Sequence, residues 1–93
     1  MIVCNEDRCT VQGPVTAENV VSLLAQGGER FTGPSVTVDL SGVTEVDSSA
    51  LSLLLEWRRE AVRNGRAIRY RNLPASLKSL AKLYGVTELI GEG

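Results

Sequence analysis

The sequence predicts a two-layer α/β domain, a mixed β-sheet with helices covering one of its faces. Three observations lead there. Apolar residues recur at every second position through Cys9–Val11, Val36–Leu40 and Ile68–Tyr70, which is the period of strands with one wet face. Between and after those runs, apolar residues fall at helical spacing. The chain has 93 residues and no linker, repeat or low-complexity tract, so residues 1–93 are expected to form a single domain.

Ile2 to Cys4 reads as a first strand, joined by the turn-like Asn5-Glu6-Asp7 to a second strand carrying Cys9 and Val11. Thr16 is a plausible N-cap for a helix over Ala17 to Gln26, where Val20, Leu23 and Leu24 share a face. Gly27 and Gly28 are expected to stop it. In the third strand Val36, Val38 and Leu40 alternate with Thr37 and Asp39. A short loop then leads to Asp47 or Ser48, either of which can cap a longer helix reaching about Asn64, with Gly65 as its left-handed terminator. Arg58, Arg59 and Arg63 lie toward the C-terminal end of that helix, where the macrodipole favours cations. Ile68 and Tyr70 alternate with Arg69 and Arg71 in a fourth strand. Leu73-Pro74 opens a third helix with a stripe of Leu77, Leu80, Ala81 and Tyr84, and Gly85 ends it. Val86 to Ile90 adds one short terminal turn.

Composition removes several function classes. Lys plus Arg is 10 and Asp plus Glu is 11, a formal charge of −1 that argues against nucleic-acid binding. With no histidine, the Ser-His-Asp triad and imidazole metal sites are unavailable. No apolar run approaches the ~20 residues a membrane span needs. The start, Met1 to Asp7, lacks the pattern of a signal peptide, so a cytoplasmic location is expected. Cys4 and Cys9 are too few to hold a metal. A disulfide across a tight hairpin is geometrically conceivable, but a reducing cytosol favours two free thiols packed as small hydrophobes. Asp39, Glu45 and Asp47 gather acids near one loop, where such residues serve as turn formers and caps. No enzyme activity and no cofactor are expected.

The stretch Val36 to Leu51 carries the most distinctive chemistry. It places Asp47-Ser48-Ser49 at a helix start, where unpartnered N–H groups and the positive dipole end accommodate an anion. A hydroxyl there is either a cap or a phosphate acceptor. Asp47-Ser48-Ser49-Ala50-Leu51 resembles the signature of the STAS domain, found in anti-sigma-factor antagonists and in the cytoplasmic tails of sulfate transporters. Leu80-Ala81-Lys82-Leu83-Tyr84-Gly85-Val86, after Asn72-Leu73-Pro74, resembles the small STAS subunit of bacterial Mla-type phospholipid ABC transporters. Together these runs imply a STAS-like fold from about Cys9 to Ile90. In the antagonist branch the resemblance implies phosphorylation of Ser49. In the transporter branch it implies that the Ser48 hydroxyl lies near the ATPase interface. Ala50 stands where the family often has Gly, and its methyl narrows the approach of a partner backbone.

The long helix adds a second clue. Its apolar arc runs from Leu53 and Trp57 through Ala50, Ala61 and Leu54 to Leu51, Val62 and Leu55. That is roughly 200°, against the ~100° that a helix lying on a sheet requires. Either the core contact is broad, with Arg58 snorkelling to water, or one edge of the arc meets another protein. Lys78 and Lys82, spaced i, i+4, are either solvated or directed at an acidic partner. Arg66, Arg69 and Arg71 form either a basic stripe on the wet sheet face or simple edge charges.

The resemblance therefore implies a non-catalytic subunit that binds and regulates the ATPase of a phospholipid ABC complex maintaining outer-membrane lipid asymmetry. Its expected contact residues are Ser48, Ser49, Ser52, Leu53, Trp57, Lys78 and Lys82. It would reach the inner membrane only through that complex, with no nucleic-acid partner. The alternative is an anti-sigma-factor antagonist that binds a serine kinase and is switched by phosphate on Ser49, or on Ser48.

Overall fold

The alternating runs of the sequence become strands laid side by side in the order in which they are made. A computed structural model describes residues 1–90, and residues 91–93 of the expected domain lie outside the described residues. The elements are β1 (Ile2–Asn5), β2 (Arg8–Val15), α1 (Val20–Arg30), β3 (Ser35–Val46), α2 (Ser48–Arg63), β4 (Ala67–Arg71), α3 (Ala75–Leu83) and α4 (Thr87–Ile90). The sheet order is β1-β2-β3-β4. β1 and β2 pair antiparallel, and β2–β3 and β3–β4 pair parallel, so the sheet is mixed.

One face of the sheet is buried. Ile2, Cys9, Val11, Val36, Val38, Leu40 and Tyr70 point into the core, where they meet Leu23 of α1, Leu51, Leu54 and Trp57 of α2, Leu77 of α3 and Ile90 of α4. Arg8, Arg69 and Arg71 on the other face are exposed, and Thr10, Thr37 and Asp39 are half-buried. α2 supplies the largest helical share of the core, with Ala50, Leu51, Leu53, Leu54, Trp57 and Ala61 all buried. The wide apolar arc is therefore mainly a broad core contact. Its far margin faces water, since Leu55 is half-buried and Val62 exposed. The Tyr70 hydroxyl donates to the Leu54 carbonyl at 2.6 Å, stitching β4 to α2. Burial drives the Tyr70 pKa far upward, which keeps the phenol a neutral donor.

Four local expectations need correction. First, Cys4 and Cys9 are a disulfide rather than free thiols. They are directly opposite in the β1–β2 ladder with Cα atoms 4.0 Å apart, because the hairpin turns through Glu6 at φ 58°. Second, α1 begins three residues later than Ala17, with Asn19 rather than Thr16 at its N-cap. Asn19 Oδ1 accepts from the Thr16 N–H at 2.8 Å, and its Nδ2 donates to the Pro14 carbonyl, so residues 16–19 form a separate turn. Third, Gly27 and Gly28 do not end α1, which runs on to Arg30. A Cβ on Gly27 would overlap the Trp57 indole nitrogen and come within 3.0 Å of the Phe31 ring. Gly27 is thus a packing residue where α1 crosses α2. Fourth, β3 does not yield to a loop after Leu40. It continues to Val46, pairing Gly42 with Gln12 and Val46 with Val15 across two register shifts. Gly42 permits this close approach, for a Cβ there would sit 3.0 Å from the Val11 carbonyl oxygen.

The remaining caps and terminators hold, but the stripe expected on α3 stops at Ala81, because Tyr84 is the C-cap and is exposed. Asp47 caps α2, and Gly65 and Gly85 follow α2 and α3 in the left-handed region at φ 66° and 71°. Pro74 occupies the N-cap of α3.

Candidate partner-docking site

β3 delivers the chain to Asp47, whose extended backbone (φ −131°, ψ −171°) turns it into α2. One carboxylate oxygen, Oδ1, accepts from the Ser49 N–H at 2.8 Å. The other, Oδ2, accepts from the Ala17 N–H at 3.1 Å. A single side chain thereby caps α2 and ties it to the turn that precedes α1. These two N–H groups, Ala17 first, hold the Asp47 carboxyl below the usual carboxylate range against a smaller opposing effect of desolvation. Asp47 is a structural latch, and the anion-friendly N-terminus of α2 is already occupied by its own carboxylate.

The latch fixes one end of a groove between α1 and α2. Val20, Val21 and Leu24 of α1 form one wall, and Ser49, Ser52, Leu53 and Glu56 of α2 form the other, around about 380 Å3. Leu53 is buried in its floor, whereas Val21 on its rim is 79% exposed. Glu56 closes the far end and is held by Arg59, whose Nη1 donates to Glu56 Oε2 at 2.8 Å.

Three of the expected contact residues, Ser49, Ser52 and Leu53, thus come together in this groove. Ser48 is exposed at the first turn of α2, outside the groove lining. Trp57 does not belong to the surface. It is 2% exposed, with its ring 5.1 Å from that of Phe31 in an edge-to-face contact at 74°. Its large apolar body is needed to fill the space between α1 and α2, which overrides the interface preference of its residue type. Lys78 and Lys82 are exposed on α3 and do not line the groove. Sequence reasoning overlooked Val21, although the Val20-Val21 pair carries apolar character past the core-facing stripe of α1. Residues 78–84 at the end of α3, which the resemblance also implies as partner surface, expose apolar side chains at their tip, with Leu83 76% and Tyr84 58% exposed.

Among the described residues, no three Cys, Asp or Glu side chains converge as a metal site. No described helix is long and apolar enough to cross a membrane.

A four-stranded mixed sheet backed by helices, with an apolar groove at the capped start of its central helix, defines a small α/β domain built to present a surface. A family model described as "Mlab, STAS domain" matches residues 3–91, and the chain belongs to the STAS-domain family. No curated protein sequence matches the chain. Among solved structures, the anti-sigma factor antagonist SpoIIAA in its unphosphorylated form superposes with a TM-score of 0.75 at 14% identity, covering 100% of this chain and 86% of that one. A sulfate transporter family protein from Wolinella succinogenes gives 0.72 at 15% identity, covering 91% of this chain and 70% of that one. A third structure, described as Mglu, gives 0.64 at 19% identity and covers 81% of this chain, which spans only 20% of that protein. These likenesses establish the STAS fold.

Proposed function

We propose that this chain is a non-catalytic STAS subunit that docks on the ATPase of a phospholipid-transporting ABC complex, with the α1–α2 groove and the adjoining start of α2 as its contact surface. The observation that carries this reading is the groove itself. Val21 stands exposed beside a buried apolar floor, and Ser49 and Ser52 sit at the edge to give hydrogen-bonding specificity. The match to an MlaB-type family model supports the transporter branch. Docking works by differential affinity. A rigid helix pair that binds one conformation of the ATPase more tightly raises the population of that conformation. The chain acts from the cytoplasmic side of the inner membrane and is held there by its complex.

The test is co-expression with the ATPase and permease of a phospholipid ABC transporter from the same organism, followed by size-exclusion chromatography. Wild type is expected to co-elute with the ATPase, and Val21→Glu or Ser52→Arg to elute alone with an unchanged circular dichroism spectrum. Co-elution of both variants at wild-type level overturns the groove as the interface.

A second reading follows from the full-length likeness to SpoIIAA, also solved in a phosphorylated form from Bacillus with a TM-score of 0.71. On this reading Ser49 of this chain, half-buried on the groove wall, would accept phosphate from a kinase partner. A phosphate of about −1.5 to −2 charges would face both Asp47 and Glu56 and expel the partner. Stoichiometric phosphate on Ser49 in protein isolated from its host selects this reading, and unmodified Ser49 selects the first.

A further inference from the structure

The face of the sheet opposite the helices carries three exposed arginines with one aspartate, Asp39, among them, and among the described residues none of the three forms a salt bridge. In the ladder, Arg8 is the cross-strand partner of Thr37, and Thr37 of Arg69. One row on, Thr10 is partnered by Asp39, and Asp39 by Arg71. Arg8 and Arg69 therefore flank the Thr37 hydroxyl about 10 Å apart, and Arg69 and Arg71 follow each other about 7 Å apart along β4. All three arginines are exposed. Among the described residues, the ion pair that forms is Arg59 with Glu56, away from this face. Asp39 offsets part of this charge through its field on Arg8, but its hydrogen bonds go elsewhere. Its Oδ1 accepts from the Ser41 N–H at 2.8 Å and from Asn72 Nδ2 at 3.1 Å. Arg66, the third member of the stripe expected from the sequence, is not available: it is half-buried, and its Nε donates to the Gly33 carbonyl at 2.7 Å.

We propose that this open sheet face, centred on Arg8, Arg69 and Arg71, is a second docking surface whose occupant is an acidic protein segment in extended conformation. Charge complementarity and spacing select that occupant. Alternate side chains of an extended chain repeat every ~7 Å on one side, which matches the Arg69–Arg71 interval. Guanidinium groups bind carboxylates through paired, planar hydrogen bonds. β4 is a terminal strand of the sheet, so a segment laid along it meets no neighbouring strand. An anionic membrane is the less suitable target. Recruitment to lipid headgroups uses clusters of roughly four to eight basic residues, and this face offers three with an ionised aspartate among them. The proposal does not depend on the ATPase reading, because the α1–α2 groove lies on the helical layer, away from this face.

The test is a titration of the full chain with a fluorescent synthetic peptide of alternating Glu and Thr, a Gln-for-Glu control peptide, and phosphatidylglycerol vesicles. The Glu peptide is expected to bind, and to weaken as salt rises toward ~0.15 M. Arg69→Glu/Arg71→Glu is expected to weaken it at least about tenfold, and the milder Arg69→Gln/Arg71→Gln and Arg8→Gln by less. Val21→Glu, in the groove, is expected to leave it unchanged. Equal binding of the two peptides, indifference to the arginine substitutions in chains with native circular dichroism, or arginine-dependent binding to vesicles but not to the peptide would each overturn the proposal.

Discussion

A few side chains settle the packing of this molecule. Trp57 joins α1 to α2, with its indole edge against Gly27 and its ring across Phe31. Trp57→Ala is expected to cost about 3–5 kcal/mol, read from the denaturation midpoint, because the site loses both transfer energy and packing. Gly27→Ala places a methyl where the indole nitrogen stands, and about 1–3 kcal/mol of destabilisation is expected despite the better helix propensity of alanine. Tyr70→Phe removes the hydrogen bond to the Leu54 carbonyl and is expected to cost about 1 kcal/mol. Asp47 brings a pH dependence. Its folded pKa is lowered, so its contribution is complete above the unfolded value of about 3.9 and is lost as pH falls through the lower folded value. Asp47→Asn is expected to be less stable than wild type at neutral pH, with the two urea midpoints converging in acid. Midpoints that stay parallel down to pH ~2 would show that the two hydrogen bonds leave the titration untouched.

At the level of elements, what was legible in the sequence depended on how local its cause is. α2 was readable from cap to terminator because Asp47, the apolar arc and Gly65 all act within one segment. The inward face of β3 was readable from the Val36, Val38, Leu40 alternation for the same reason. The C-terminal end of α1 was not readable. Gly27 is a helix stop on local grounds, and only the arrival of Trp57, 30 residues later, makes it a helix residue. The second half of β3 depends on a bulged pairing with β2 that no period reveals. The disulfide likewise needed the hairpin register, which sets Cys4 opposite Cys9. Because that bridge closes a loop of only a few residues, its stabilisation is modest, about 2 kcal/mol on chain-entropy grounds. Dithiothreitol is expected to lower the unfolding free energy by that amount, read as a lower urea midpoint, while leaving the far-ultraviolet circular dichroism unchanged. Loss of the strand signal on reduction would mean that the bridge, rather than the burial of Cys9, holds the hairpin.

In the molecule as a whole, one core is shared by all four helices and the inner sheet face. Heat or urea is therefore expected to unfold it in a single step, with Trp57 fluorescence and circular dichroism following the same curve. Separate midpoints would reveal a hairpin or an α3–α4 unit melting alone. Of the candidate site, the start of α2 was legible, and so were Ser49, Ser52 and Leu53. The second wall was not, because Val21 and Leu24 gain their meaning only when α1 lies beside α2. Spatial strand order here repeats chain order, β1-β2-β3-β4. During synthesis, each strand after the first thus finds one neighbour already made, and no pairing skips over an intervening strand. The sheet grows vectorially, from the β1 edge to the β4 edge.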